Sequence, residues 1–249
     1  MRQTLRALAV SLASFVVVIP SVVGAEGSEA GKRSATVIVL LYDGVELMDF
    51  AGPVEVFTSA NEVHPEDPFR VVLAAEQRQP IATHNGLAVV PDCAFADCPE
   101  ADLLVVPGGT GVMAAMAHPP LMTYLQSSAE QADRVMSVCV GAFLLARASL
   151  LEDQQATTHE RGLGYLTQLA PTAKVVSDVR FTDNGRVLTS GGMTAGIDLA
   201  LHLVGELVGD QHETATRRYM NYPVITEDAP GFRGDEGPEE ASEAPLQEG

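Results

Sequence analysis

Between Ser34 and Tyr222 the chain alternates short, continuously apolar runs with longer stretches of mixed periodicity. Thr36–Tyr42 is apolar without alternation, as a strand buried on both faces should be. A helix follows over Ala51–Val63, with Pro53 tolerated in its first turn. Phe69–Ala75 reads as a second strand and Gly86–Pro91 as an outer strand or hairpin arm. Leu103–Pro107 is another buried strand, stopped by Pro107-Gly108-Gly109. A helix over Pro119–Ala132 leads to an apolar run ending at Cys139, then to a helix reaching Ala148. Leu163–Leu169 is helical. Val175-Val176 and Val179–Thr182 are short strands, and Asp183-Asn184-Gly185 marks a hairpin before Arg186–Thr189. A long apolar helix over Gly192–Val208 and a polar one over Asp210–Tyr219 close the pattern.

Strands alternating with helices predict an α/β fold. The expected form is a flavodoxin-like, doubly wound three-layer α/β/α sandwich with a mostly parallel sheet. Ligands in such folds sit at the carboxyl ends of the strands, where Cys139 and Gly108-Gly109 both fall. The junction Ser137-Val138-Cys139-Val140-Gly141 has the form of a nucleophile elbow, a cysteine on a tight turn between strand and helix. Gly141 supplies a residue without a side chain for that turn, and the helix N-terminus is expected to favour the thiolate. Two readings of Cys139 stand at this point, a reactive thiol and a small buried residue filling a strand end.

Outside this domain the chain has a different character. Met1–Arg6 is short and basic, Ala7–Ile19 is apolar, and Val23 and Ala25 fit a small-x-small cleavage pattern. This reads as a secretory signal peptide, residues 1–25, cut after Ala25, and predicts a periplasmic or secreted protein with no membrane attachment after cleavage. The apolar run is shorter than the ~20 residues that a membrane-spanning helix needs. From Thr226 to Gly249 there are eight acidic residues and one basic residue, Arg233, without apolar periodicity, which reads as an acidic disordered tail. The whole chain carries a formal charge of −18. Such a polyanion repels phosphate backbones, which argues against a nucleic-acid partner.

Several stretches together carry a resemblance. They are Leu47-Met-Asp49-Phe-Ala-Gly52-Pro53-Val-Glu55-Val-Phe57, Phe95-Ala-Asp97-Cys98-Pro99, Val105-Val-Pro107-Gly108-Gly109-Thr-Gly111, Ser137-Val-Cys139-Val-Gly141-Ala, Ala156-Thr-Thr158-His159 and Thr189-Ser-Gly191-Gly192-Met-Thr-Ala-Gly196-Ile-Asp198. In this order they resemble the ThiJ/PfpI family, within the class I glutamine amidotransferase-like fold, and more narrowly its isonitrile hydratase-like branch. The resemblance implies a domain over 34–222, a small-molecule substrate, a catalytic Cys139 attacking the isonitrile carbon, and an acid at Asp49 needed for that reaction. It also implies a homodimer. Neither a cofactor nor a metal is called for. Gly108, Gly109, Val140 and His159 are the candidates for binding substrate or holding developing negative charge, the amides of Gly109 and Val140 in particular.

Each residue also has a plainer reading. Asp49 could cap the Ala51 helix, and His159 could cap or pack at a helix start. Asp198 and His202, four apart on one helix face, could be a hydrogen-bonded pair, a metal pair or unrelated. Glu55 is a second acid, with an exposed helix position as its bland expectation. Cys93 and Cys98 could be a disulfide or two thiols, with Cys139 left free. Two departures from the hydratase pattern stand out. Val140 replaces the threonine that follows the cysteine there, and Glu160 replaces the tryptophan after the histidine. They keep open a non-catalytic small-molecule or redox-sensing protein of the same fold. The domain also resembles the sensor half of AraC-type regulators, but the acidic tail carries no helix-turn-helix.

Overall fold

The computed structural model of the protein describes residues 34–223; the leader and the acidic tail expected from sequence lie outside them. In chain order the elements are β1 (Ala35–Leu40), α1 (Leu47–Val63), β2 (Phe69–Ala75), β3 (Ile81–Ala82), β4 (Ala88–Val89), β5 (Cys93–Ala94), β6 (Leu103–Val106), α2 (Val112–Met116) and α3 (Pro119–Gln131). There follow β7 (Arg134–Val138), α4 (Gly141–Arg147), β8 (Gln155–Ala156), α5 (Leu163–Leu169), β9 (Lys174–Val175), β10 (Phe181–Asp183), β11 (Val187–Ser190), α6 (Thr194–Val208) and α7 (Asp210–Tyr219).

Seven strands form one sheet in the order β10-β11-β7-β6-β1-β2-β5. Every neighbouring pair is parallel except β10 with β11, which the Asp183–Gly185 turn joins as a hairpin. The register sets Val37 opposite Leu103, Val105 opposite Met136, and Ser137 opposite Thr189. The central strands are buried along nearly their whole length, which explains their unbroken apolar sequences. The helices pack as two sets, α1 with α6 and α7, and α2 with α3 and α4, the last also meeting α5. The doubly wound α/β/α sandwich predicted from periodicity is the fold observed. No helix among the described residues is long and apolar enough to cross a membrane.

The differences are local. Helix α1 begins at Leu47 rather than Ala51, so Pro53 lies inside it and leaves the Asp49 carbonyl without its usual helical donor. Buried Asp49 interrupts the apolar periodicity, which is why the first turn is hard to read from sequence. The short α2 and the two-residue β5 and β8 lack the length that a periodic signal needs. Cys93 and Cys98 are joined by a disulfide, which leaves Cys139 free.

Candidate active site

Strand β7 lies between β6 and β11 and delivers Cys139 at its carboxyl end. Cys139 takes φ +58°, the left-handed region, which costs a non-glycine residue about 1–3 kcal/mol. Hydrogen bonds hold it there. Its N–H donates to the carbonyls of Ser190 (3.1 Å) and Gly191 (3.0 Å), and its own carbonyl accepts from the buried Thr158 hydroxyl at 2.7 Å. The left-handed residue of the turn is thus the cysteine itself. Gly141 is required for a different reason: a Cβ there would lie 2.1 Å from the Val106 carbonyl oxygen, so its lack of a side chain lets α4 start against β6.

Asp49 faces the thiol from the first turn of α1 and is fully buried. Its Oδ2 accepts from the Gly108 amide at 3.2 Å and its Oδ1 from the Met193 amide at 3.0 Å. The Cys139 thiol lies close enough to the same carboxylate for each group to shift the other's pKa. Three chain segments therefore converge on one buried acid. Asp49 is not a helix cap: the cap position is Glu46, whose side chain makes no capping bond.

Burial pushes the Asp49 carboxyl up to about 6. The Met193 amide, the Cys139 thiol and the Gly108 amide oppose that shift, and the charge of Glu46 adds to it. The Cys139 thiol is pushed up to about 12, by burial first and by the Asp49 carboxylate next, with the Val140 amide opposing. The thiolate expected from the helix N-terminus is therefore not the resting form. A seven-residue helix and one amide are outweighed by burial and a carboxylate in contact. Both shifts disfavour charge, so at neutral pH the pair retains one proton between the sulfur and the carboxylate. Tyr42 closes the floor, its hydroxyl donating to the Pro107 carbonyl at 2.8 Å. Burial, then the charges of Asp49 and Cys139, keep that phenol well above its ordinary pKa.

The remaining candidates divide. Gly108 is no oxyanion donor, because its N–H is taken by Asp49. Its role is clearance: a Cβ would sit 2.8 Å from the Val140 nitrogen and 2.9 Å from Asp49 Oδ2. Gly109 takes φ +134° and pairs as a bridge with Val45, leaving that loop against the Gly44–Glu46 backbone. The Val140 amide points at the Cys139 sulfur. His159 Nδ1 accepts from the Arg161 amide at 3.2 Å, capping a short 3₁₀ turn. Its ring also reaches the site: a Cβ on Gly192 would be 2.7 Å from His159 Cδ2 and 3.4 Å from Cys139 Sγ. Cap and pocket wall coexist in one residue.

Glu55 is exposed on α1 and makes no part of the site. Asp198 and His202 are not partners. Asp198 Oδ2 accepts two bonds from Arg180, and His202 Nε2 meets Asp183 at 2.7 Å. Glu46, the Met193 amide, Tyr42 and the Thr158 hydroxyl also belong to the site. Thr158 and Met193 lie within family motifs, but Met193 acts through its backbone and Glu46 and Tyr42 through space, which leaves no trace in residue type.

The model of the DJ-1/PfpI family matches residues 35–206, and the chain belongs to that family. Isonitrile hydratase of Pseudomonas putida is 37% identical over 170 residues, covering 68% of this chain and 71% of that protein. The HTH-type transcriptional regulator GbdR of Pseudomonas aeruginosa is 31% identical over 187 residues, 75% of this chain, which spans 50% of the regulator's length. Among solved structures, a THiJ/PfpI family protein from Pseudomonas syringae aligns with TM-score 0.70 and 25% identity, covering 85% of this chain and 84% of that one. Drosophila melanogaster DJ-1beta aligns with TM-score 0.68 at 20% identity, over 77% of this chain and all of that one, and shares the fold.

Proposed function

We propose that the protein is a cysteine-dependent hydratase that converts isonitriles to N-substituted formamides, with Cys139 as nucleophile and Asp49 as the group that moves its protons. The observation that carries this is the Cys139 thiol set beside a buried, amide-held carboxylate at the carboxyl edge of a parallel sheet. The 37% identity to isonitrile hydratase supports the substrate class.

A neutral thiol is no obstacle to this chemistry. An isonitrile carbon needs both a nucleophile and a proton, and the pair supplies the two together. Sulfur attacks the carbon as the thiol proton passes through Asp49 to that same carbon, giving R–N=CH–S–Cys139. Asp49, again ionised, takes a proton from water whose oxygen adds to the carbon, and returns it to nitrogen. The C–S bond then breaks, the remaining hydroxyl proton returns to sulfur, and R–NH–CHO leaves. Water is consumed and the thiol restored. An apolar R group would find exposed apolar side chains on the segments that build the site. Met48, Met113 and Met193 stand exposed on the segments carrying Asp49, the Gly109 loop and the Gly192 approach.

The disulfide supports export through the leader ending at Ala25, since such bonds persist in oxidising compartments. A homodimer follows from the family resemblance. The test is hydration of cyclohexyl isocyanide by the purified protein. Cys139→Ser is expected to abolish turnover, and Asp49→Asn to lower kcat by about 10²–10⁴-fold. Val140 offers no hydroxyl, and Cys139 is only 9% exposed. These two observations favour a second reading, a redox or small-molecule sensor. That reading is supported if neither isonitriles, glyoxal-type carbonyls nor small amides are turned over in a Cys139-dependent way.

A further inference from the structure

Away from the thiol, at the end of β10 and on α6, three side chains meet that the chemistry above does not use. His202 Nε2 lies 2.7 Å from Asp183 Oδ2 and 3.9 Å from Glu206 Oε1, and one ligand atom from each residue falls within 4.8 Å of the others. These two separations straddle the roughly 3.3 Å edge of a tetrahedron whose metal–ligand bonds are ~2.0 Å. His202 and Glu206 are four apart on α6, so one face of the helix presents both. Asp183 comes from the hairpin packed against that helix.

We propose that Asp183, His202 and Glu206 form a binding site for a divalent transition-metal ion such as Zn²⁺. The orientation of each ligand supports it. Asp183 Oδ1 is tied by the Gly185 amide at 2.6 Å, leaving Oδ2 to face the imidazole. The Arg134 guanidinium sits 3.6 Å from Glu206 Oε2, leaving Oε1 to face it. The His202 ring rests against Phe181, centroids 5.0 Å apart, with Nε2 on the side of both carboxylates. Outer contacts of this kind are what orient ligands around a metal.

His202 and Glu206 also line a recess of about 330 Å³ in which buried Asp198 is held between Arg180 and Arg217. Asp198 Oδ1 lies 3.8 Å from Arg217, so the lining carries both signs of charge. Arg134 and Arg180 temper the affinity, and an imidazole with two carboxylates suits Zn²⁺, Co²⁺ or Ni²⁺ over Ca²⁺.

The experiment is calorimetric titration of Zn²⁺, and absorbance titration of Co²⁺, into the full chain bearing Cys139→Ser, which removes the one free thiol. One saturable ion per chain is expected. Affinity should fall at least about tenfold in His202→Gln and in Glu206→Gln, whose folding is checked by circular dichroism. Substitution His64→Gln serves as the control, because His64 and His212 stack elsewhere with centroids 4.3 Å apart. That substitution should leave the affinity unchanged. Absence of saturable binding up to about 1 mM metal overturns the proposal. So does binding that survives both His202→Gln and Glu206→Gln, or that is lost with His64→Gln.

Discussion

Cys139 and Asp49 act as a single proton-holding unit, and its pH dependence follows from the direction of both shifts. In the proposed reaction the productive form has Asp49 ionised and the thiol protonated. Protonation of Asp49 below about 6 removes the acceptor, whereas loss of the thiol proton waits until about 12. The expected kcat/KM profile for isonitrile hydration therefore rises tenfold per pH unit up to a midpoint near 6 and stays level to about pH 10. An alkaline limb with a midpoint near 8 would instead mark an ordinary exposed thiol. Alkylation reports the same coupling from the other side. Because the carboxylate helps hold the thiol protonated, Asp49→Asn should speed labelling of Cys139 by iodoacetamide at pH 8 while slowing turnover. Equal labelling rates would show that burial alone sets the thiol. The placement of Cys139 at a strand–helix junction was legible in the sequence, and Asp49 lay within a family motif. Their protonation was not, because it depends on solvent exclusion and on a partner ninety residues away.

Elements matter through how closely they approach. Helix α4 starts beneath the elbow only because Gly141 has no side chain, and an added methyl meets the Val106 carbonyl of the neighbouring strand. Gly141→Ala should destabilise the fold by about 2 kcal/mol or more, visible in denaturant unfolding, since backbone on both sides resists relaxation. An unchanged midpoint would mean that the helix shifts freely. The strand–helix alternation, the Asp183–Gly185 hairpin, and helices α5 and α7 could be read from residue order, because each is long enough or sharply enough punctuated. Helix α1 starts earlier than periodicity predicts, because a buried acid interrupts the apolar positions of its first turn. Element α2 and the two-residue strands depend on tertiary contacts that no local pattern encodes.

At the scale of the whole molecule, Cys93–Cys98 pins the short edge strand β5 to the loop that follows. Closing so small a loop is worth about 2 kcal/mol by chain entropy. Replacing both cysteines with serine should lower unfolding stability by that amount and leave Cys139 chemistry intact, because β5 lies at the opposite side of the sheet from β11. Loss of turnover in that variant would tie the edge to the site.

The same sheet order carries a consequence for solubility. Its two outermost strands, β10 and β5, are three and two residues long. Rims this brief offer few free main-chain groups for another chain to zip onto, so ribbon-like growth is disfavoured. Any self-association has to be built from helix faces and loops, where single side-chain substitutions can tune it.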